Sequence, residues 1–210
     1  MERRNTCSMK TLFIDRSGQA QSLCLVDNQT IVRAEVLGIA DGRSGEWVQR
    51  TQDFIADETI SRMVVGLGPG SFAGIRAALA FCQGYRAGSG CEVLGLPSPC
   101  ALAREGEPLA VVGDARQGRF WVALFDGLRL VGQIFQVDAA TLPLRVPLGA
   151  KVITPDDRRI DELLRETFDE RYLGGCQPTA EGLARFAIAN PGALSTDPLP
   201  VYLNPAVRPA

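Results

Sequence analysis

Residues 109–125, LAVVGDARQGRFWVALF, form an apolar run that ends in an acid, then a short polar turn and a second apolar run. Residues 11–26, TLFIDRSGQAQSLCLV, have the same arrangement, and a shift of 99 positions superposes Asp15 on Asp114 and Leu23 on Val122. Apolar runs bounded by Gly, Ser and Asp predict antiparallel β-hairpins. Two matching hairpins at this spacing indicate that the chain contains a duplicated structural unit.

Outward from the hairpins, both halves continue in the same order. In the first half, we predict strands at 11–15, 19–27, 30–37, 62–67 and 91–96, and helices at 45–58, at 71–87 and from Ser98 onward. In the second half, we predict strands at 109–114, 118–125, 128–137 and 151–154, and helices at 138–143, 156–168 and 179–189. A meander that leads into alternating helices and strands forms a mixed sheet with helices on its faces.

This order of elements predicts the fold class. We expect an α/β protein with two βββαβαβα lobes, which is the duplicated actin-like ATPase fold, also called ribonuclease-H-like. The predicted boundaries are a disordered leader at residues 1–9, an N-terminal actin-like lobe at 10–106 and a shortened C-terminal actin-like lobe at 107–210. In members of this fold that hydrolyse ATP, the two acid-bearing hairpins face the phosphates and magnesium.

The composition excludes several classes of protein. The chain has 22 basic and 24 acidic residues, so its net charge of −2 generates no strong field towards nucleic acid or an anionic membrane. It contains no histidine, which excludes Ser-His-Asp triads, Cys-His pairs and His-based zinc sites. Six cysteines without a CxxC pair, and a polar start without a signal peptide, predict a reduced cytoplasmic protein. An apolar run of about 18 residues, which a membrane span needs, is absent from the sequence.

A glycine-rich segment, GLGPGSFAG at residues 66–74, lies between a predicted strand and a predicted helix. It lacks the lysine of a P-loop, and Ser71 occupies the third glycine position of a dinucleotide-binding fingerprint. A nucleophile elbow around Ser71 would need glycines where Pro69 and Ala73 stand. Anion binding by the helix N-terminus stays open, but a tight structural turn is favoured. We assign this structural role to Gly68, Pro69, Gly70, Ser71, Phe72, Gly74 and Arg76.

A second polar turn, DARQG at residues 114–118, joins the strands of the second hairpin. Asp114, Arg116 and Gly118 are expected to be ordinary hairpin residues. The alternative is that Asp15 and Asp114, one from each lobe, hold magnesium in a cleft of an actin-like Mg-ATP-dependent phosphohydrolase or kinase. Two carboxylates are too few to establish such a site.

The helix predicted at 71–87 has two stripes. Ala73, Ala77, Ala80 and Gly84 recur at i, i+4, i+7 and i+11 and form a stripe without bulky side chains, whereas a second stripe is apolar and larger. The larger stripe is suited to a sheet, and the small one allows another helix to approach to about 8–10 Å between axes. That second helix is either the one at 45–58 or a helix of a partner protein.

Four segments together resemble a known family: GPGSFAGIR at 68–76, GLPS at 95–98, DARQG at 114–118 and PVYLNP at 200–205. They resemble the TsaB (formerly YeaZ) family, which is often classified with the M22 glycoproteases. Members are non-catalytic subunits of the bacterial complex that makes threonylcarbamoyladenosine in tRNA. The resemblance extends in order and spacing from about Lys10 to Val207.

The resemblance implies a scaffold that activates a partner and has no catalytic residue, cofactor or metal of its own. The implied partners are a TsaD-like catalytic subunit, which transfers threonylcarbamoyl to adenosine 37 of tRNA, and a TsaE-like ATPase. A homodimer through the same helices is also implied, with tRNA contacted only through the complex and no contact with membranes. Family members pair through two helices, and the matching residues here are Trp47, Thr51, Phe54, Ala73, Ala77, Ala80, Phe81 and Gly84. The absence of histidine excludes the catalytic subunit and the peptidase activity that the M22 label suggests.

Overall fold

A computed structural model describes residues 9–39 and 44–203 of the 210-residue chain. Residues 1–8 of the predicted leader and residues 204–210 at the end of the predicted C-terminal lobe lie outside the described residues. Across the two described ranges, no helix combines the length and the apolar character needed to cross a membrane.

The first sheet is built from the first half of the chain. Its strands are β1 (Lys10–Asp15), β2 (Ala20–Asp27), β3 (Thr30–Ile39), β4 (Ile60–Gly66) and β5 (Glu92–Leu96). They lie in the order β3-β2-β1-β4-β5, with an antiparallel meander on one side and parallel strands β1, β4 and β5 on the other. This is the mixed sheet that the sequence predicts.

The second sheet repeats the first. Its strands are β6 (Leu109–Arg116), β7 (Arg119–Asp126), β8 (Arg129–Asp138), β9 (Lys151–Thr154) and β10 (Tyr172–Gly175), in the order β10-β9-β6-β7-β8. The meander is antiparallel, and β9 and β10 continue the sheet in parallel from β6. Strand β10 is not predicted from the sequence, because its four residues, two of which are glycines, show no apolar pattern.

Among residues 9–39 and 44–203, five α-helices connect or follow the strands: α1 (Ser44–Phe54), α2 (Phe72–Ser89), α3 (Leu142–Arg145), α4 (Asp157–Phe168) and α5 (Ala180–Ala189). Each overlaps a predicted helix. The helix predicted from Ser98 onward is instead a 3-10 segment at Ser98–Leu102 that follows Pro97 and contains Pro99. Prolines at the start of a helix do not prevent its extension, and this segment ends because the backbone becomes extended at Ala103, which has φ of −58° and ψ of 141°.

The buried side chains form three clusters in a layered arrangement. The outer face of the first sheet packs against α1 and α2, and the outer face of the second sheet packs against α4 and the residues around α3. The third cluster joins the inner faces of both sheets to α5 and the 3-10 segment at 98–102. Helix α5 therefore lies between the sheets, and Ser22 of β2 accepts a hydrogen bond from the backbone N–H of Ala180 at 2.8 Å.

Candidate functional site

The glycine-rich loop holds the start of α2 against the turn between β1 and β2. Ser71 caps the helix, since its side-chain oxygen accepts a hydrogen bond from the backbone N–H of Gly74. A Cβ at Gly70 would lie 2.2 Å from the carbonyl oxygen of Ser17, and one at Gly74 would lie 2.1 Å from that of Arg16. Close backbone packing thus explains the glycines at these two positions.

The two stripes of α2 face opposite ways. Ile75, Ala78 and Cys82 are buried against the first sheet. Ala73, Ala80 and Gly84 are exposed, and Ala77 is half-buried. The small-residue stripe therefore does not pack under α1 and lies on the surface of the chain.

The exposed surface extends one turn beyond the predicted stripe. Ala87 and Gly88 continue it at the next positions of the same helix and are also exposed. We call Ala73, Ala77, Ala80, Gly84, Ala87 and Gly88 the small-residue face of α2. A Cβ added at Gly84 or Gly88 would meet no atom within 4 Å, so packing within the chain does not require glycine at either position.

Three of the residues predicted to contact a partner lie inside the molecule. Trp47, Thr51 and Phe54 of α1 are only 4%, 0% and 5% exposed. Trp47 and Phe54 belong to the core between α1 and the first sheet, and the buried hydroxyl of Thr51 donates a hydrogen bond to the backbone carbonyl oxygen of Trp47 at 2.8 Å. This corrects the prediction that they contact a partner directly.

Phe81 joins α1 to α2. Its ring meets that of Trp47 edge to face at 5.3 Å between centroids, and it is itself half-buried. On the other side of Trp47, the guanidinium of Arg16 lies 4.2 Å from the ring centroid. Trp47 therefore fixes α1 between the β1–β2 turn and α2, which gives α2 a rigid support.

Asp15, at the end of β1, is fully buried. Its Oδ1 accepts hydrogen bonds from the backbone N–H and the hydroxyl of Ser17, at 2.9 and 2.8 Å. Burial raises the pKa of Asp15, and hydrogen bonds from Ser98 and Ser17 oppose that rise only in part. The carboxyl of Asp15 is therefore an internal group whose charged form is disfavoured by burial.

A cleft of about 860 Å³ separates the two lobes. It is bounded by the β1–β2 turn, the loop before α2, the β6–β7 turn and the start of α4. We call this cavity the interlobe cleft. Asp114 lines it, but Asp15 does not.

Asp114 has its acceptor positions occupied by groups of its own lobe. Its Oδ1 accepts a hydrogen bond from the backbone N–H of Arg116 at 2.7 Å, and its Oδ2 lies 3.2 Å from Nη1 of Arg159. Arg116, Gln117 and Gly118 have φ values of 71°, 54° and 70°, which form the tight turn expected of a hairpin. The structure thus does not bring Asp15 and Asp114 together. The alternative prediction, a magnesium site formed by both carboxylates, is therefore wrong.

The similarity of this chain to curated proteins covers about a third of its length. No family model matches the chain. Uncharacterized proteins of Mycobacterium tuberculosis and Mycobacterium bovis are 36% identical to it over 75 residues, which is 35% of this chain and 36% of each relative. The match therefore spans little more than a third of the length of these relatives.

Solved structures match over nearly the whole chain. YeaZ from Pseudomonas aeruginosa is 22% identical, covers 93% of this chain and 100% of its own, and has a TM-score of 0.69. The ethanolamine utilization protein EutJ from Carboxydothermus hydrogenoformans is 11% identical, with 84% and 90% covered and a TM-score of 0.51. This likeness to YeaZ agrees with the family resemblance noted in the sequence. It shows the fold: the chain has the duplicated actin-like α/β fold of YeaZ.

Proposed function

We propose that this chain is a TsaB-type subunit that pairs with a TsaD-type catalytic subunit for threonylcarbamoyl transfer to adenosine 37 of tRNA. The observation that carries the proposal is the small-residue face of α2, whose residues are all exposed except Ala77, which is half-buried. The fold and the segments quoted above support the TsaB family. The proposal includes the TsaE-like ATPase as a further partner, contact with tRNA only through the complex, and a cytoplasmic location.

The glycines of the small-residue face support a helix partner. Glycine inside a helix costs about 1 kcal/mol relative to alanine, and at Gly84 and Gly88 an added Cβ would meet no atom within 4 Å in the part of the chain that the structure describes. Their lack of a side chain allows another backbone to come close, at the short end of the usual distance of about 8–10 Å between helix axes. A helix of the catalytic subunit, or of a second copy of this chain, fits this surface.

The buried aromatic residues have a supporting role in this proposal. Trp47 and Phe54 hold α1 on the sheet, and the contact of Trp47 with Phe81 fixes α2 beside it. Phe81 also stacks on Tyr85 at 6.4 Å between centroids, and both rings remain half-exposed at the border of the small-residue face. The partner would thus contact α2 and these two ring edges, while α1 keeps α2 in position.

We propose that the chain performs no catalysis itself. The histidine-free sequence offers no Ser-His or Cys-His nucleophile pair, which argues against the peptidase activity named for a YeaZ-like structure. The burial of Asp15 argues against a phosphohydrolase, because that carboxyl would have to ionise at the cleft to bind magnesium. These observations favour a subunit that acts through its surface.

The test is to place a large charged side chain on the small-residue face. Ala80→Arg puts one at an exposed position in the middle of that face, and its control, Ala140→Arg, makes the same change in an exposed turn of the other lobe. Each variant is mixed with the purified TsaD-type subunit of the same cell and passed over a size-exclusion column. We expect Ala140→Arg to elute with the catalytic subunit and Ala80→Arg to elute alone with an unchanged circular dichroism spectrum.

A second measurement follows the reaction. Cells that lack the gene are complemented with each variant, and the threonylcarbamoyladenosine content of their tRNA is measured by mass spectrometry. Ala140→Arg should restore the modification and Ala80→Arg should not. Co-elution of Ala80→Arg with the catalytic subunit would show that the docking surface lies elsewhere, and normal modification in cells that lack the gene would contradict the proposed function.

A further inference from the structure

The buried guanidinium of Arg16 lacks hydrogen-bond partners. Only 8% of Arg16 is exposed, and its Nε and Nη1 are both buried without an acceptor among the described residues. Burial lowers the pKa of Arg16, and no carboxylate of the described residues opposes that change. A buried cation without an acceptor is costly to a folded chain. The group is therefore a candidate for a contact that comes from outside the chain.

Arg16 lies between α1 and α2. A Cβ at Gly74, in the first turn of α2, would lie 2.1 Å from the carbonyl oxygen of Arg16. The guanidinium lies 4.2 Å from the ring centroid of Trp47 on α1. Trp47 in turn contacts Phe81, which follows Gly74 by two turns of α2. Arg16 therefore lies beside the stretch of α2 that carries the first half of the small-residue face.

We propose that Arg16 binds a carboxylate that a helix of the partner brings to the small-residue face. This inference rests on the proposed function and adds the chemistry of the contact, which is an aspartate or glutamate of the partner at the level of the first two turns of α2. Arg16 does not line the interlobe cleft, so this contact is separate from that cavity.

A shortage of acceptors around Arg16 favours a carboxylate. Nε1 of Trp47, against whose ring the guanidinium lies, is also buried and meets no acceptor among the described residues. Guanidinium and indole groups only donate hydrogen bonds, whereas a carboxylate only accepts them and has two oxygens. The Nη2 atom of Arg16 is not enclosed as Nε and Nη1 are. A carboxylate that arrives at Nη2 can pair with Nη2 and Nη1 through two parallel hydrogen bonds.

The positive ends of two helices add to the charge of Arg16. Gly74 is the third residue of α2 and Trp47 is the fourth residue of α1, so Arg16 lies at the N-terminal end of both helices. The partial charge at a helix N-terminus is positive and favours an anion. The first turn of α2 contains no acid, and that of α1 contains Glu46, which is exposed. The potential at Arg16 therefore favours an acid of the partner.

The test measures the stability of the free chain and its affinity for the partner in the same variant. Arg16→Met removes the charge but keeps an unbranched side chain that packs well on an aromatic ring. Because an unpaired buried cation is removed, we expect the melting temperature of the free chain to rise by about 2–4 °C. In calorimetric titration with the purified TsaD-type subunit of the same cell, we expect the affinity to weaken about thirtyfold or more, since the carboxylate is left without its cation.

Arg33→Met is the matched control. Arg33 also lies 4.2 Å from the ring centroid of an aromatic residue of α1, Phe54, but its Nη2 donates a hydrogen bond to the backbone carbonyl oxygen of Phe54. Arg33→Met should lower the melting temperature, because that bond is lost, and should change the affinity by no more than about twofold. The opposite signs of the two stability changes distinguish an arginine that lacks a partner in the free chain from one that has it.

Several results would overturn the inference. A lower melting temperature of Arg16→Met, or its failure to fold, would show that Arg16 stabilises the chain itself. Asp41 precedes α1 in the sequence and lies outside the described residues. An equal loss of melting temperature in Asp41→Asn would assign the carboxylate to this chain. A dimer of the free chain that Arg16→Met dissociates in sedimentation would assign it to a second copy.

The affinity measurements separate this inference from the proposed function. If Arg16→Met binds the TsaD-type subunit as tightly as the parent chain does, while Ala80→Arg does not bind it, the carboxylate contact is refuted and the docking surface stands. If the parent chain itself does not bind the TsaD-type subunit, both the proposed function and this inference fail.

Discussion

Gly74 and Gly84 belong to the same helix, but the structure predicts opposite effects when each is replaced by alanine. At Gly84 a new Cβ meets no atom within 4 Å, so alanine adds only helix propensity and should raise the free energy of unfolding by about 0.5–1 kcal/mol. At Gly74 the Cβ would lie 2.1 Å from the carbonyl oxygen of Arg16, which belongs to the backbone and cannot rotate away. The start of α2 must then move from the β1–β2 turn, at a cost of about 1–3 kcal/mol.

Urea unfolding of the two variants beside the parent chain measures this difference. We expect Gly84→Ala to unfold at a higher urea concentration and Gly74→Ala at a lower one, with similar slopes. For a chain of this size, 1 kcal/mol corresponds to about 2–4 °C in melting temperature, so the two variants should be clearly separated. Gly88 is a second open position, so Gly88→Ala should change the stability as Gly84→Ala does. If Gly74→Ala were as stable as Gly84→Ala, the close contact between α2 and the β1–β2 turn would be refuted.

Two further predictions concern buried polar groups. Burial raises the pKa of Asp15 above the ordinary value of an aspartate, so the folded chain holds that proton more tightly than the unfolded chain. Stability is therefore lost as pH rises through the folded pKa. Asp15→Asn should therefore raise the free energy of unfolding at neutral pH. This gain, measured from urea midpoints, should become smaller as the pH is lowered towards about 4. A lower free energy of unfolding at neutral pH would show that the charged form is needed. Ser22→Ala leaves the backbone N–H of Ala180 without its acceptor and should lower the free energy of unfolding by about 1–3 kcal/mol. Unchanged stability in urea would show that the bond between β2 and α5 contributes nothing.

Periodicity in the sequence predicted the order of the elements correctly except that it missed β10 and gave a helix where the 3-10 segment at Ser98–Leu102 lies. Apolar runs that end in Asp15 and Asp114 became β1 and β6, and the stripes of 71–87 became the buried and exposed sides of α2. These features are local, because the alternation of apolar and polar residues determines which side of a helix or strand is buried. The two mixed sheets follow from the same local order combined with short connections.

The location of the candidate sites depends on contacts between distant segments, which no local pattern encodes. In the sequence, the stripe that contains Trp47 and Phe54 could face either a partner or the core. Only the packing of α1 on the sheet shows that it faces the core. Asp15 ends a strand as a cleft-facing carboxylate would, but its partners are Ser17 and Ser98, and Ser98 comes from a segment far along the chain. Because it is buried, Asp15 does not line the interlobe cleft, whereas Arg116 and Arg159 are accessible there. The matching acids of the two hairpins, Asp15 and Asp114, therefore do not meet in the cleft as a magnesium site made by both would require.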